Sequence, residues 1–114
     1  MSDFPQRGEV WIINWNPGRG SEQAGKRPAL IIQNDIGNAR ASTTIVAAVS
    51  SRVKLYPINV PIQPPEGGLL KPSVVSASQI LTVSKLRLVK RIGVVKPETM
   101  RAVERAIQLS LSIE

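Results

Sequence analysis

Cysteine and histidine are both absent from this chain of 114 residues. Without cysteine there is neither a disulfide framework nor a thiolate metal site. Without histidine the commonest general base and the commonest metal ligand are missing. Serine–histidine triads and paired-histidine ribonuclease chemistry are therefore excluded, and neither a metal nor a cofactor is expected. Aromatic residues make up only 4% of the chain, so a binding surface built mainly on base stacking is not expected. Acids are scarce too, with 8 Asp and Glu against 15 Lys and Arg, a net charge of +7. On a small domain that excess favours a polyanionic partner; the plainer reading is solubility. No apolar run is long enough to span a bilayer, and the N-terminus has no signal-like apolar core. A soluble, cytoplasmic protein without a membrane partner is the expectation.

What is present reads as one domain over residues 1–114, with a modest core. Met1 to Gln6 is a short tail. Glu9 to Trp15 alternates, with Val10, Ile12 and Asn14 on one side and Trp11, Ile13 and Trp15 on the other, as in a strand buried on much of both faces. Asn16-Pro17-Gly18 ends it by turn chemistry. Thr43 to Ser50 is β-branched and apolar, hence a central strand. Ile58 to Ile62 reads as an edge strand, because Pro57 and Pro61 cannot donate ladder hydrogen bonds. Gln63 to Pro72 is a loop and Ser73 to Ala77 a short strand. Thr82 to Leu88 suits a single helical turn, and Lys90 to Val95 is the last strand. Pro97 to Ser112 is a helix: Pro97 fits its first position, Glu98 complements the dipole, and Met100, Val103, Ile107 and Leu111 form its apolar stripe. Short strands with one terminal helix predict a mainly β (α+β) barrel or sandwich.

The most informative stretch is Gly18 to Asn38. A glycine-rich polar loop runs to Lys26, Pro28 to Ile32 reads as a short buried strand, and Asn34-Asp35-Ile36-Gly37-Asn38 reads as a second turn. Gly20 to Lys26 matches the start of a phosphate-binding P-loop. Arg27 then stands where Ser or Thr should bind magnesium, and Pro28 with a β-like run replaces the required helix. Nucleotide binding is set aside. Arg27 itself sits where the loop meets the strand, and a rigid element holds a charged group better than a loop tip does. From spacing alone an ordinary surface arginine is the favoured reading.

The string Gly20-Ser21-Glu22-Gln23-Ala24-Gly25-Lys26-Arg27-Pro28, joined to Ile31-Ile32-Gln33-Asn34-Asp35-Ile36-Gly37-Asn38, resembles the MazF/PemK family of toxin endoribonucleases. Arg7-Gly8-Glu9-Val10-Trp11, Ile45 to Ser50, Ser73-Val74-Val75 with Gln79-Ile80, and the closing helix extend the likeness over nearly the whole chain. The resemblance implies an SH3-like β-barrel of the CcdB/PemK type with a C-terminal helix, usually a homodimer. It also implies a sequence-specific, metal-independent endoribonuclease that cuts single-stranded RNA, leaves 2′,3′-cyclic phosphate and 5′-hydroxyl ends, and is silenced by an acidic, MazE-like antitoxin.

Arg27 matches the family's catalytic arginine. A planar guanidinium can hold two oxygens of a doubly negative phosphorane, and its very high pKa suits it to charge stabilisation rather than proton donation. Ser50 stands where the family usually has threonine, and is expected to orient the attacking 2′-hydroxyl or a phosphate oxygen. The alternative is a strand-end serine that satisfies local backbone; the missing methyl loosens its rotamer. Glu22 is either a general base, a shaper of the site or a solvated loop acid. Gln23, Asn38, Ser73 and Gln79 offer neutral groups for reading base edges. Lys26, Arg40, Arg52 and Lys54 are candidate phosphate contacts. Ser78-Gln79-Ile80-Leu81 replaces a frequent Glu-Gln-Ile-Arg of the family, so the groove's sequence preference is expected to differ. Lys85, Arg87, Lys90 and Arg91 form a second basic cluster, read as a solvated face. The rival readings are a non-catalytic binding toxin of the CcdB, gyrase-poisoning kind, which would not need both Arg27 and Ser50, and a plain RNA-binding module.

Overall fold

The computed structural model describes residues 4–15 and 25–113. Alternating and β-branched runs give six strands: β1 (Glu9–Asn14), β2 (Lys26–Ile31), β3 (Thr43–Ser50), β4 (Asn59–Ile62), β5 (Ser73–Ser84) and β6 (Leu88–Val94). They form one antiparallel sheet in the order β4-β5-β3-β2-β1-β6. The mainly β fold with a closing helix is as expected, but the sheet is not a closed ring, because β4 and β6 do not hydrogen-bond to each other.

A 3₁₀ turn at Glu66–Gly68, between β4 and β5, lies against β6 where closure would occur. Only glycine fits there. A Cβ on Gly68 would stand 1.9 Å from the Ile92 carbonyl oxygen, and one on Gly93 would stand 2.3 Å from the Gly67 carbonyl carbon. Gly68 also has a φ of +73°, a conformation that side chains with a Cβ resist.

Strand alternation sends side chains to both faces, and both faces are packed. Val10, Leu30, Ala47, Val49, Val75 and Ile62 join Met100, Val103 and Ala106 of the terminal helix on one side. Ile13, Trp15, Ala29, Ile31, Val46 and Val83 form a smaller cluster on the other. The double-sided burial read in β1 is thus borne out.

The closing helix, α2, spans Pro97–Leu111, ends on Ser112 in the left-handed conformation, and packs on β4 and β5. Its buried residues are Met100, Val103 and Ala106, whereas Leu111 is 55% exposed. The expected stripe therefore holds over the first turns and then lifts off the sheet. The turn expected at Asn34–Asn38 is instead a short helix, α1 (Asp35–Arg40), capped by Asn34 Oδ1 accepting from the Gly37 N–H at 2.8 Å. β5 is longer than expected, and the helical turn read after Thr82 is a 3₁₀ turn at Lys85–Arg87.

Candidate functional site

The site lies where two central strands part. β2 pairs with β3 only over Ala29↔Ala48, Leu30↔Ala47 and Ile31↔Val46. Pro28 follows in the direction of divergence; lacking an N–H, it cannot extend that ladder. Beyond this point Arg27 and Pro28 pair only with β1, while Val49 and Ser50 pair only with β5. Continued by the same register, the ladder would set Arg27 opposite Ser50. The gap between them is a cleft of about 760 Å³ lined by both residues.

A register shift in β5 supplies a third wall. Ala47 pairs with Ile80 but Ala48 pairs with Ser76, so Ala77, Ser78 and Gln79 bulge out of the β3 ladder, and Gln79 lines the cleft. Bulges re-aim side chains in this way next to sites. The fourth wall is the loop before β5, with Leu69, Leu70 and Lys71. Ile12, Val49, Leu69 and Ile92 provide apolar lining, while Arg27, Arg52 and Lys71 bring positive charge; no carboxylate is among the described lining residues.

Arg27 is exposed, and its strand is fixed from behind. The Trp15 N–H donates to the Gly25 carbonyl at 2.8 Å and the Trp15 indole N–H donates to the Arg27 carbonyl at 3.4 Å. Trp15 is itself buried in the smaller core cluster, so the guanidinium projects from backbone that is anchored in packing. Ser50 is half-buried, and its Oγ accepts from the Arg52 N–H at 3.1 Å. The strand-end role and the cleft position coexist, since the hydroxyl keeps its proton to donate. The Ser73 Oγ donates to the Lys71 carbonyl at 2.9 Å and fixes the turn into β5.

Arg27, Ser50, Arg52, Ser73 and Gln79 are thus brought together, and the remaining candidates among the described residues are not. Lys26 is exposed and is not among the residues that line the cleft. Lys54 lies in the β3–β4 connection and Arg40 on α1, both exposed and away from the cleft lining. Asn38 is corrected to a core residue. It is 0% exposed, its Oδ1 accepts from Thr44 Oγ1 at 2.7 Å and Gln33 Nε2 at 3.1 Å, and its Nδ2 donates to the Gln33 carbonyl and Asp35. No group of that amide is left for a base edge. Glu22 and Gln23 lie outside the described residues. Leu70, Lys71 and Ser51 were missed from the sequence; a loop lysine next to proline carries no periodic signal.

The second basic cluster is largely architectural. Lys85 Nζ donates to the Asn38 carbonyl, Arg87 donates to the Asn14 carbonyl at 3.0 Å, and Arg91 pairs with Glu9 at 3.5 Å. A smaller groove of about 430 Å³, lined by Arg7, Ile32, Gln33, Ile45, Glu104, Ile107 and Gln108, lies between the sheet and α2. It is crossed by the Arg7–Glu104 ion pair at 2.8 Å. Chemically, then, the main cleft combines guanidinium and ammonium groups, a hydroxyl able to donate, and neutral hydrogen-bonding groups on a partly apolar floor. It suits a bound phosphodiester.

Comparison with known proteins agrees. Residues 6–111 match the model of a family described as PemK-like, MazF-like toxin of type II toxin–antitoxin system. Endoribonuclease EndoA of Bacillus subtilis is 40% identical over 110 residues, covering 95% of each chain. Among solved structures, MazF from Deinococcus radiodurans superposes with a TM-score of 0.85 at 24% identity, over 97% of this chain and 99% of that one. An endoribonuclease from a mycobacterial species, solved in complex with its cognate antitoxin, gives 0.82 at 24% identity, over 96% and 97%.

Proposed function

Because the chain belongs to the PemK-like, MazF-like family of type II toxins, we propose that it is an endoribonuclease whose Arg27–Ser50 cleft cuts single-stranded RNA at a short motif. The observation that supports this reading is the parting of β2 and β3, which opens a cationic gap lined by both Arg27 and Ser50. The endoribonuclease EndoA, at 40% identity, favours catalysis over the gyrase-type binder.

The chemistry follows from what the chain lacks. With no histidine or cysteine, the nucleophile is best supplied by the substrate. The 2′-hydroxyl attacks the adjacent phosphorus, its proton passing to a base. The bond to the 5′-oxygen breaks, and that oxygen takes up a proton from water, so that the products are a 2′,3′-cyclic phosphate and a 5′-hydroxyl. Arg27 neutralises the charge that builds on the phosphorane oxygens, and the Ser50 hydroxyl orients the attacking 2′-hydroxyl or a phosphate oxygen through a hydrogen bond. Glu22 is the proposed base for the 2′-hydroxyl proton. Arg52 contacts phosphate, and Gln79, with Gln23 from the first loop, reads base edges. The reaction needs neither metal nor ribosome and takes place in the cytoplasm.

An antitoxin silences such a toxin. A chain of +7 calls for an acidic partner whose disordered segment orders itself along the cleft and competes with RNA. The functional unit is proposed to be a homodimer. Incubating the purified chain with long single-stranded RNA and excess chelator, then mapping product ends, tests the reading. Discrete cuts with 5′-hydroxyl ends support it. Cleavage that persists with a single 2′-deoxy nucleotide at the cut site refutes the substrate-nucleophile mechanism.

A further inference from the structure

The cleft wall formed by Leu70 and Lys71 is held by a contact remote from it. α2 has no side-chain cap of its own; its capping residue, Lys96, makes no such bond. The cap comes instead from the 3₁₀ turn before β5. Glu66 Oε2 accepts from the Lys96 N–H at 2.9 Å and from Thr99 Oγ1 at 2.5 Å. One carboxylate oxygen thus accepts from the backbone N–H of the capping residue, 30 residues away in sequence, and from the Thr99 hydroxyl in the first turn.

The segment that leads from this clasp to the cleft is short and stiff. Gly67 and Gly68 lie directly on Gly93 and Ile92 of β6, closer than any side chain would allow. Leu69 follows, 6% exposed and packed in the core. Leu70 and Lys71 then emerge on the cleft, and the Ser73 hydroxyl holds the Lys71 carbonyl. Among the described residues no carboxylate pairs with Lys71. Its exposed ammonium stands on the lining of a cleft that holds Arg27 and Arg52.

We propose that Lys71 contacts a backbone phosphate of the bound RNA strand, and that Glu66 is the positioning residue that keeps Lys71 there by clasping the turn to α2. The inference rests on the RNA reading of the cleft. It adds a binding residue that the sequence did not single out, and a reason why a helix terminus on the sheet's far edge bears on substrate affinity. A clasp that served stability alone would change the melting temperature and leave ionic contacts with RNA untouched.

The test measures the affinity of the full chain for a fluorescent, uncleavable 2′-O-methyl RNA strand across a salt series. Each phosphate contact to a single strand contributes about 0.7 to the slope of log Kd against log salt. Lys71→Ala is expected to lower that slope by about 0.7 and weaken binding about fivefold near physiological salt. Glu66→Ala is expected to do nearly the same, Glu66→Gln to restore binding to within about twofold because its carbonyl can accept both bonds, and the double variant to bind no worse than Lys71→Ala alone. Thr99→Val, which removes one bond of the clasp with little change in shape, gives an intermediate loss should Glu66→Ala fold poorly. An unchanged slope in Lys71→Ala, or fully additive losses in the double variant, overturns the proposal while leaving the RNA reading intact. Absence of any binding by the unmutated chain overturns both.

Discussion

At the scale of single residues, Arg27 and Ser50 carry the sharpest expectations. Arg27→Ala should reduce cleavage by about 10²–10⁴-fold, the usual worth of one positioned catalytic group. Its melting curve should be unchanged, because Arg27 is exposed and the bond from Trp15 is made to its backbone. A normal rate in a normally folded variant removes Arg27 from the mechanism. Ser50→Ala should be impaired and Ser50→Thr equal or better, since the β-branched side chain restricts the hydroxyl's rotamer; single-turnover rates decide this. Asn38 teaches the opposite lesson. Its polarity and its place in a turn-like string suggested base reading, yet it is the fully buried hub that joins α1 to β3 through Thr44. Asn38→Ala should therefore cost about 1–3 kcal/mol of stability through the partners left unsatisfied, read by denaturant unfolding.

At the scale of elements, β3 was legible to the residue because Thr43 to Ser50 is an unbroken apolar, β-branched run. α2 was legible through Pro97 and its 3.6-residue stripe. α1 was not, because Asn34, Asp35 and Gly37 are turn formers and also good cap and first-turn residues; burial of Asn38 tips the balance. β5 was read short because the bulge at Ala77–Gln79 interrupts its alternation. The candidate site was legible in the residues of β2 and β3. It was illegible in the loop before β5, where contact with β6 and α2 rather than local pattern fixes the chain. That contact makes a prediction of its own. Gly68→Ala should destabilise the fold by about 2 kcal/mol or more, since it adds a Cβ at positive φ against backbone. Calorimetry should record a fall of roughly 10 °C in Tm, and an unchanged Tm would mean that the turn is not fixed by this packing.

At the scale of the whole molecule, the positive charge and the acid-free lining of the described cleft point to a polyanion, whether nucleic acid or an acidic segment of an antitoxin. The two should compete. Adding a peptide from an acidic antitoxin should displace bound RNA, with both affinities falling as salt rises; simultaneous binding would place the antitoxin elsewhere. The unclosed sheet has a further consequence, for solubility. Among the described residues, β4 and β6 are the strands paired with a neighbour on one side only, the kind of edge along which chains stack into fibres. Each is blunted by its own sequence. β4 has only four residues and carries Pro61 at its midst, which removes a donor from the row. β6 carries exposed Lys90, whose charge repels a second copy laid alongside. Pro61 and Lys90 thus act as gatekeepers that keep the sheet from adding another strand at high concentration.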